Sequence, residues 1–397
     1  MKRYDYILVG AGAAGMQLLA AFCRDPFFSN YSILVIDADS KTSNDRTWCW
    51  WERGEGAWSE LVEKRWEKVS VVGGRAMQFG VEDYSYNMLH SVKFYAAVKA
   101  MSQAHGGIDW VQERYVKHRE QQDFVEVMTE GNRYEGKCLF TSVANLKEAM
   151  RSTRHPYLHQ HFIGWFVKTE HSVFDANTAL MMDFSVEQRG NTRFMYVLPT
   201  SPNEALVEYT LFSDTLLSEG EYEQAITEYL EGLQAGAVTI QRKERGAIPM
   251  TTYPFWKHNT QRVLHIGIAG GWTRASTGYT FYNSTKESIR LAASLKAGLS
   301  DMRSFHSSSR FHFYDFVVLD VLKRRNDVGA AFFSRIFETN RIHVVFDFLN
   351  GQSTLHQEIN IVSKSSPRLQ LMYSVLRYVF SRLGFPLYRY KGLYRMK

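Results

Sequence analysis

Residues 6–15 read Tyr-Ile-Leu-Val-Gly-Ala-Gly-Ala-Ala-Gly, and residues 33–37 read Ile-Leu-Val-Ile-Asp. Between them lies an Ala/Leu-rich stretch that runs to about Cys23. A short apolar run, a glycine turn, a helical stretch and a second apolar run form the opening of a doubly wound, Rossmann-like α/β domain. Gly10 permits the tight turn, Gly12 lets the backbone approach a pyrophosphate, and Gly15 lets helix and strand pack closely. Ala14 sits in the first turn of that helix, where free N–H groups meet the phosphates. Asp37 ends the second strand, 22 positions after Gly15, placed to bind ribose hydroxyls. These five residues are the candidate dinucleotide contacts, and the motif alone leaves open which dinucleotide they hold.

Outward from this unit the pattern changes. Residues 69–140 are mixed, with a helix expected near 94–104 and a hairpin near 124–140. Short alternating runs at 162–167, 180–184, 194–198 and 205–211 predict a β-sheet. A helix is expected at 222–233, a strand at 263–268 that returns to the first domain, and a helix at 284–299. Beyond residue 301 the chain reads as helical. The expected division is a nucleotide-binding domain from 1–145 and 260–300, an inserted, mainly β substrate domain from 146–259, and a helical C-terminal region from 301–397. No internal repeat or low-complexity linker interrupts it.

A chain of 397 residues has room for two domains and an appendage. Its aromatic content of 14% fits a large apolar ligand and bulky cores equally well. Three widely spaced cysteines form neither a disulfide framework nor a zinc pattern, which favours a reducing compartment. The first residues do not read as a signal peptide, and no run of about 18 uncharged apolar residues occurs. Charge is concentrated at the end. Residues 367–397 hold seven basic residues and no acid, against a net +6 overall, so the remainder sums to about −1. Those basic residues (Arg368, Arg377, Arg382, Arg389, Lys391, Arg395 and Lys397) interleave with leucine, valine and phenylalanine. The pattern suits an interfacial helix on an anionic lipid surface better than a nucleic-acid arm. A terminal helix packed on its own core would read the same way. The expectation is therefore peripheral attachment at the cytoplasmic face of a membrane, without nucleic acid. The oligomeric state is not legible.

Two other patterns carry no site. Residues 131–138, GNRYEGKC, fall short of a phosphate-binding loop because they lack its Ser/Thr and lie on an expected hairpin. His155, His159 and His161 have partial metal spacing but no evident fourth ligand, so no metal is expected.

Six short motifs follow in order. They are Asp45-Arg46-Thr47-Trp48, Gln160-His161-Phe162-Ile163-Gly164, Met182-Asp183, Leu206-Val207-Glu208-Tyr209-Thr210, Gly246-Ala247-Ile248-Pro249, and the segment from Gly267 through Gly270, Gly271 and Thr277 to Gly278-Tyr279. Over residues 6–366 this chain resembles the lycopene cyclases, flavoproteins that close ionone-type rings on linear carotenoids. The resemblance implies FAD, held by the first glycine loop, by Arg46 and Thr47, and by a late loop at 267–279 including Gly267, Gly270, Gly271, Thr277 and Gly278. It also implies lycopene as substrate, and a requirement for reduced flavin with NADPH or NADH as the reductant. The chain departs from the family pattern at two places. Ala275 stands where a proline is common, and Phe166 where many members carry an acid. Gly267 is followed by Ile268 where redox relatives carry an aspartate, which favours the cyclases over monooxygenases.

Ring closure needs a proton on an alkene carbon and removal of another, with no net electron transfer. A carboxylic acid in an apolar pocket can stay protonated near neutral pH. Glu208 matches the acidic position of the family's Glu-x-Thr motif and is the candidate acid, although a strand glutamate in an alternating run could equally face solvent. Trp48, Trp50, Trp51, Trp165 and Trp272 lie on or beside the motifs as candidate cation-stabilising faces. The competing expectations are an FAD-dependent monooxygenase or isoprenoid reductase of the same fold, and a non-catalytic carotenoid-binding flavoprotein.

Overall fold

A computed structural model describes residues 2–306 and 309–388. The first sheet is centred on strand Arg3–Val9, which pairs in parallel with Ile33–Asp37 and with Arg133–Thr141. Ile108–Gln112 adds beyond Ile33–Asp37, and Val263–His265 adds to Arg133–Thr141, both in parallel. The central strands are apolar on both faces because both are covered. Tyr6 and Leu8 pack under helices Ala13–Arg24, Ser91–His105 and Phe281–Lys296. Ile7 and Val9 share a core cluster with Val125 and Val127 of the antiparallel strand Val125–Thr129, which extends the same sheet. The return expected near residue 263 occurs, but that strand is only three residues long.

The second sheet has the order Val238–Thr251, Tyr157–Thr169, Glu204–Ser213, Thr192–Ser201, Thr178–Asp183, Lys68–Val72 and Ala76–Gly80. Residues 68–80, expected within the nucleotide-binding part, extend this sheet instead. The side chains of Val69 and Val71 are buried in one cluster with Ala179 and Met181, and that burial fixes the hairpin here. A three-stranded sheet of Thr47–Arg53, Tyr84–His90 and Lys64–Trp66 accompanies the two larger ones.

Strand Glu204–Ser213 is buried along nearly its whole length. Its alternation therefore separates two interiors rather than core from solvent. Val207, Tyr209 and Leu211 pack under helix Glu219–Gly232. Leu206, Glu208, Thr210 and Phe212 face a cavity roofed partly by the C-terminal helices.

Those helices are Phe311–Arg324, Gly329–Thr339, Ile342–Leu349, Leu355–Lys364 and Arg368–Arg382. The last of them has two characters. On one side Ser374 and Ser381 are buried. There Asp320, fully buried, accepts hydrogen bonds from Arg324 Nε (2.9 Å), Ser374 Oγ (2.7 Å) and Arg377 Nε (3.0 Å). Arg377, expected among the outward-facing basic residues, is thus committed to an internal ion pair. On the other side Leu369, Met372, Leu376, Val379 and Leu383 are exposed, Leu369 at 80%. Arg389, Lys391, Arg395 and Lys397 lie outside the described residues.

Candidate active site

The glycine loop shows a division of labour. Gly10 has φ +92°, and a Cβ there would come within 2.1 Å of Ser142 Oγ. A Cβ on Gly15 would come within 2.0 Å of the Gly10 carbonyl oxygen, so this glycine sets how closely helix and strand approach. At Gly12 an added Cβ would meet no described atom within 4 Å, because that side of the loop opens onto the cavity. Helix Ala13–Arg24 begins here without a side-chain cap, so its first N–H groups are free for an anionic ligand. Asp37 braces the loop, with its Oδ2 accepting from the Ala11 N–H at 2.6 Å.

The late loop closes on the same place. Gly267, with φ +60°, would clash with Ala14 if it carried a Cβ (2.9 Å), so the two glycine segments touch. The loop is fastened from behind by a buried ion pair: Asp315 Oδ1 accepts from Arg274 Nε (2.8 Å) and from Ser276 Oγ (2.6 Å). Ala275, at the departure from the family pattern, is buried in the core under the C-terminal helices. These residues fit a dinucleotide: a glycine cradle, an uncapped helix N-terminus, and an opposing loop in contact with it.

A cavity of about 810 Å³ runs from Gly12 and Ala14, past Arg46, Thr47, Gly267, Thr277 and Gly278, to Glu208, and on to Leu371, Met372 and Val375 of the last helix. Gly10, Gly15, Asp37, Gly270 and Gly271, also expected at the cofactor site, do not line it. Among the tryptophans, Trp48 and Trp51 line the cavity. Trp50 and Trp272 belong to the first-sheet core, and Trp165 lies on the opposite face of the second sheet.

Glu208 is 7% exposed. Burial, then the neighbouring charge of Glu244, push its carboxyl well above the usual carboxylate range. Glu244 was not singled out by sequence. It belongs to strand Val238–Thr251, and both glutamates register opposite Gly164 of the strand between them. The two carboxyl groups are within hydrogen-bonding reach. Glu244 Oε2 also accepts from Thr47 Oγ1 at 2.8 Å, and the Arg242 guanidinium is 3.6 Å away. Burial raises the Glu244 carboxyl too, opposed by the Thr47 hydroxyl, its bond to Glu208 and the charges of Arg242 and Arg46. Phe166 lies under the Arg242 guanidinium, 3.7 Å from ring centroid to Cζ. Thr47, expected on the cofactor side, thus serves the carboxyl pair as well.

Beside Glu208 are three tyrosines and Cys49. Tyr196 pairs with Glu208 in the adjacent strand, and the Tyr86 hydroxyl is 2.5 Å from that of Tyr196 and 3.4 Å from that of Tyr279. Desolvation pushes all three hydroxyls upward, so they remain neutral. His161 is engaged elsewhere: both of its ring nitrogens are hydrogen-bonded, to Tyr222 (2.6 Å) and to Ser213 (2.7 Å), and His159 Nε2 lies 3.3 Å from the Tyr157 hydroxyl. Among the described residues there is no cluster with metal-ligand geometry.

The fold is shared with known flavoproteins. A geranylgeranyl bacteriochlorophyll reductase-like protein from Thermoplasma acidophilum superposes with TM-score 0.61 at 11% identity, covering 95% of this chain and all of that one. A flavoprotein/dehydrogenase from Cytophaga hutchinsonii gives 0.60 at 10% identity, covering 94% and 99%. In sequence, the lycopene beta-cyclase of Pantoea ananas is 27% identical over 328 residues, 78% of this chain and 77% of that one. That of Pseudescherichia vulneris is 24% identical over 311 residues, 75% and 73%. The sequence profile of the family described as Lycopene cyclase protein matches residues 5–373. This chain therefore belongs to the lycopene cyclase family.

Proposed function

We propose that the protein is a lycopene β-cyclase that binds FAD and closes β-ionone rings at the ends of lycopene, giving β-carotene by way of γ-carotene. The observation that carries this reading is Glu208, a buried acid facing an apolar cavity continuous with the glycine loop. Gly12, Ala14, Gly267 and Thr277 would hold the cofactor, with Arg46 near its entrance. Reduced FAD, kept reduced by NADPH or NADH, would supply an electron-rich ring beside the developing cation.

The chain's own residues account for the proton chemistry. Glu208 holds a proton at neutral pH because ionising it would place a charge in a desolvated site beside Glu244. Transfer of that proton to a terminal alkene carbon leaves a cation, which the next double bond attacks to close the ring. Loss of a proton from the neighbouring carbon restores neutrality. One proton is added and one is removed, so substrate and product are isomers. The cavity excludes water that would capture the cation, and the faces of Trp51, Phe194, Tyr196 and Tyr279 offer it π-electron density.

Attachment to the cytoplasmic face of a membrane is part of this reading. Its support is the exposed apolar side of helices Leu355–Lys364 and Arg368–Arg382, flanked by exposed Lys364, Arg368 and Arg382. The cavity reaches this surface between Ile361, Val362, Leu371 and Val375, so a linear hydrocarbon could pass from lipid to Glu208 without crossing water. Among the described residues no helix is long and apolar enough to cross a membrane, so contact would be peripheral. The test is chromatography of carotenoids from lycopene-making cells expressing the chain. Cyclic products support the proposal, and unchanged lycopene with the protein folded and flavin-loaded counts against it. Nicotinamide consumed in proportion to product would instead favour a reductase or monooxygenase.

A further inference from the structure

Three strands place Glu208 and Glu244 on either side of Gly164, on one face of the sheet. Residues two strands apart are separated by roughly 9–10 Å of backbone, twice the usual spacing, so two glutamates meet only by leaning over whatever lies between. At Gly164 nothing does. A Cβ there would come within 2.6 Å of Glu208 Cγ and 3.3 Å of its Cδ. The glycine of the Gln-His-Phe-Ile-Gly motif thus leaves the space into which the Glu208 side chain leans toward the strand that carries Glu244, a space that Leu206 Cδ1 also borders, 3.0 Å from the same Cβ position. Two carboxylates in contact inside a desolvated site do not both ionise, so the pair titrates as a unit holding one proton.

The surroundings of the two groups differ. Glu244 accepts from the Thr47 hydroxyl and lies near the Arg242 and Arg46 cations, while Arg242 itself feels Glu63. Glu208 has no cationic partner among the described residues and faces Cys49, Tyr196 and Tyr279, all of which remain neutral. From the C-terminal helices the cavity receives apolar side chains with Tyr314, Ser363 and Arg368, and no acid.

We propose that Glu244 is a positioning residue for the acid: held by Thr47 and Arg242, it takes the negative charge of the pair and keeps the single proton on Glu208, facing the substrate. This rests on the reading of Glu208 as the proton donor. In the first step the Glu208 O–H bond breaks, its proton bonds to an alkene carbon, and the electron pair stays on the Glu208 carboxylate. Two adjacent anions then lie near the carbocation. Their mutual repulsion makes Glu208 a weaker acid in that step, and a stronger base for recovering the proton that the ring cation sheds. Glu244 never touches substrate, since it lies outside the cavity lining.

The test is the pH dependence of kcat/KM for lycopene in liposomes, with the full-length protein, FAD and reductant, for wild type, Glu244→Gln, Glu244→Asp and Gly164→Ala. Glu208 is active while protonated, so removing its anionic neighbour, or wedging the pair apart with a methyl group, moves the alkaline limb to lower pH. The expected displacement is about one pH unit or more, typical of losing a neighbouring charge. Glu244→Asp should restore part of it. Infrared titration of the buried protonated-carboxyl band gives a readout without turnover. The band should vanish in Glu208→Gln, and in Glu244→Gln it should be lost at lower pH than in wild type. An unmoved alkaline limb and an unmoved band in Glu244→Gln would overturn the proposal, as would a uniform loss of rate at every pH. If Glu244→Gln fails to fold, Gly164→Ala and the wild-type titration decide, and two carboxyls titrating independently in the ordinary range would refute the pairing. Full activity in Glu208→Gln would instead refute the acid assignment, leaving the infrared evidence on pairing to stand or fall separately.

Discussion

Glu208→Gln separates proton transfer from structure, and its consequences can be worked out from the contacts. The introduced amide has the same shape as the acid and can donate to Glu244 as the acid's O–H does, while Glu244 keeps its bond from Thr47. Retaining that hydrogen bond should hold the change in fold stability to about 1 kcal/mol or less, the net worth of one such bond. Catalysis should suffer far more. An amide has no transferable proton of comparable acidity, and loss of a positioned acid typically costs about 100-fold or more, equivalent to about 2.7 kcal/mol of barrier. Flavin content should persist, because the site lies on the second sheet and the cradle on the first. The assay is ring formation per bound flavin, with the melting temperature measured on the same sample. Glu204→Gln is the control for charge loss: Glu204 lies at the start of the same strand, paired with Lys168 at 3.6 Å. Near-normal ring formation by Glu208→Gln would refute the assignment of the acid.

Gly12→Val should abolish flavin binding with the fold retained, because the new side chain would project into open cavity rather than into protein; a yellow, fully loaded variant would contradict the cradle. Asp315→Asn should leave Arg274 and Ser276 without their shared anion and weaken FAD affinity about tenfold or more, in line with the cost of breaking a buried pair, read by flavin fluorescence titration. Replacing Leu369, Met372 and Leu376 with serine should reduce liposome flotation without unfolding, since all three are exposed. Binding should also weaken with salt, because each exposed arginine near an anionic surface contributes about 1 kcal/mol. Unchanged flotation would place the membrane face elsewhere.

The parts of this molecule that could be read from sequence are those determined by near neighbours along the chain. The glycine loop is one, because turn, phosphate approach and helix packing are all decided within residues 10–15. Glu208 was visible through its motif, yet its orientation was not. Alternation normally separates core from solvent, and here it separates two interiors because helices cover both faces of the sheet. Glu244 was hidden by the same rule. It sits in a charged run, QRKERG, that reads as a solvated strand, and only the register across Gly164 brings it to Glu208. Gly164 was the available signal, a glycine inside a strand that marks close approach. Arg377 was misplaced because helical periodicity cannot show that Asp320, 57 positions earlier, waits on one side of the last helix. The hairpin at 68–80 joined the distant sheet for a similar reason, since its partner strand begins at Thr178.

The most direct measurement is the mass of the product formed from lycopene in D2O by the flavin-loaded protein, together with the nicotinamide consumed. Proton transfer from an acid in exchange with solvent adds one deuteron and removes one proton per ring. Each ring closed should therefore carry a single deuterium at the carbon protonated first, with no stoichiometric use of reductant. A first-turnover cyclic product without deuterium, from protein pre-equilibrated in D2O, would contradict delivery from a solvent-exchangeable acid such as Glu208, and a reduced product with matching nicotinamide loss would contradict redox-neutral cyclisation altogether.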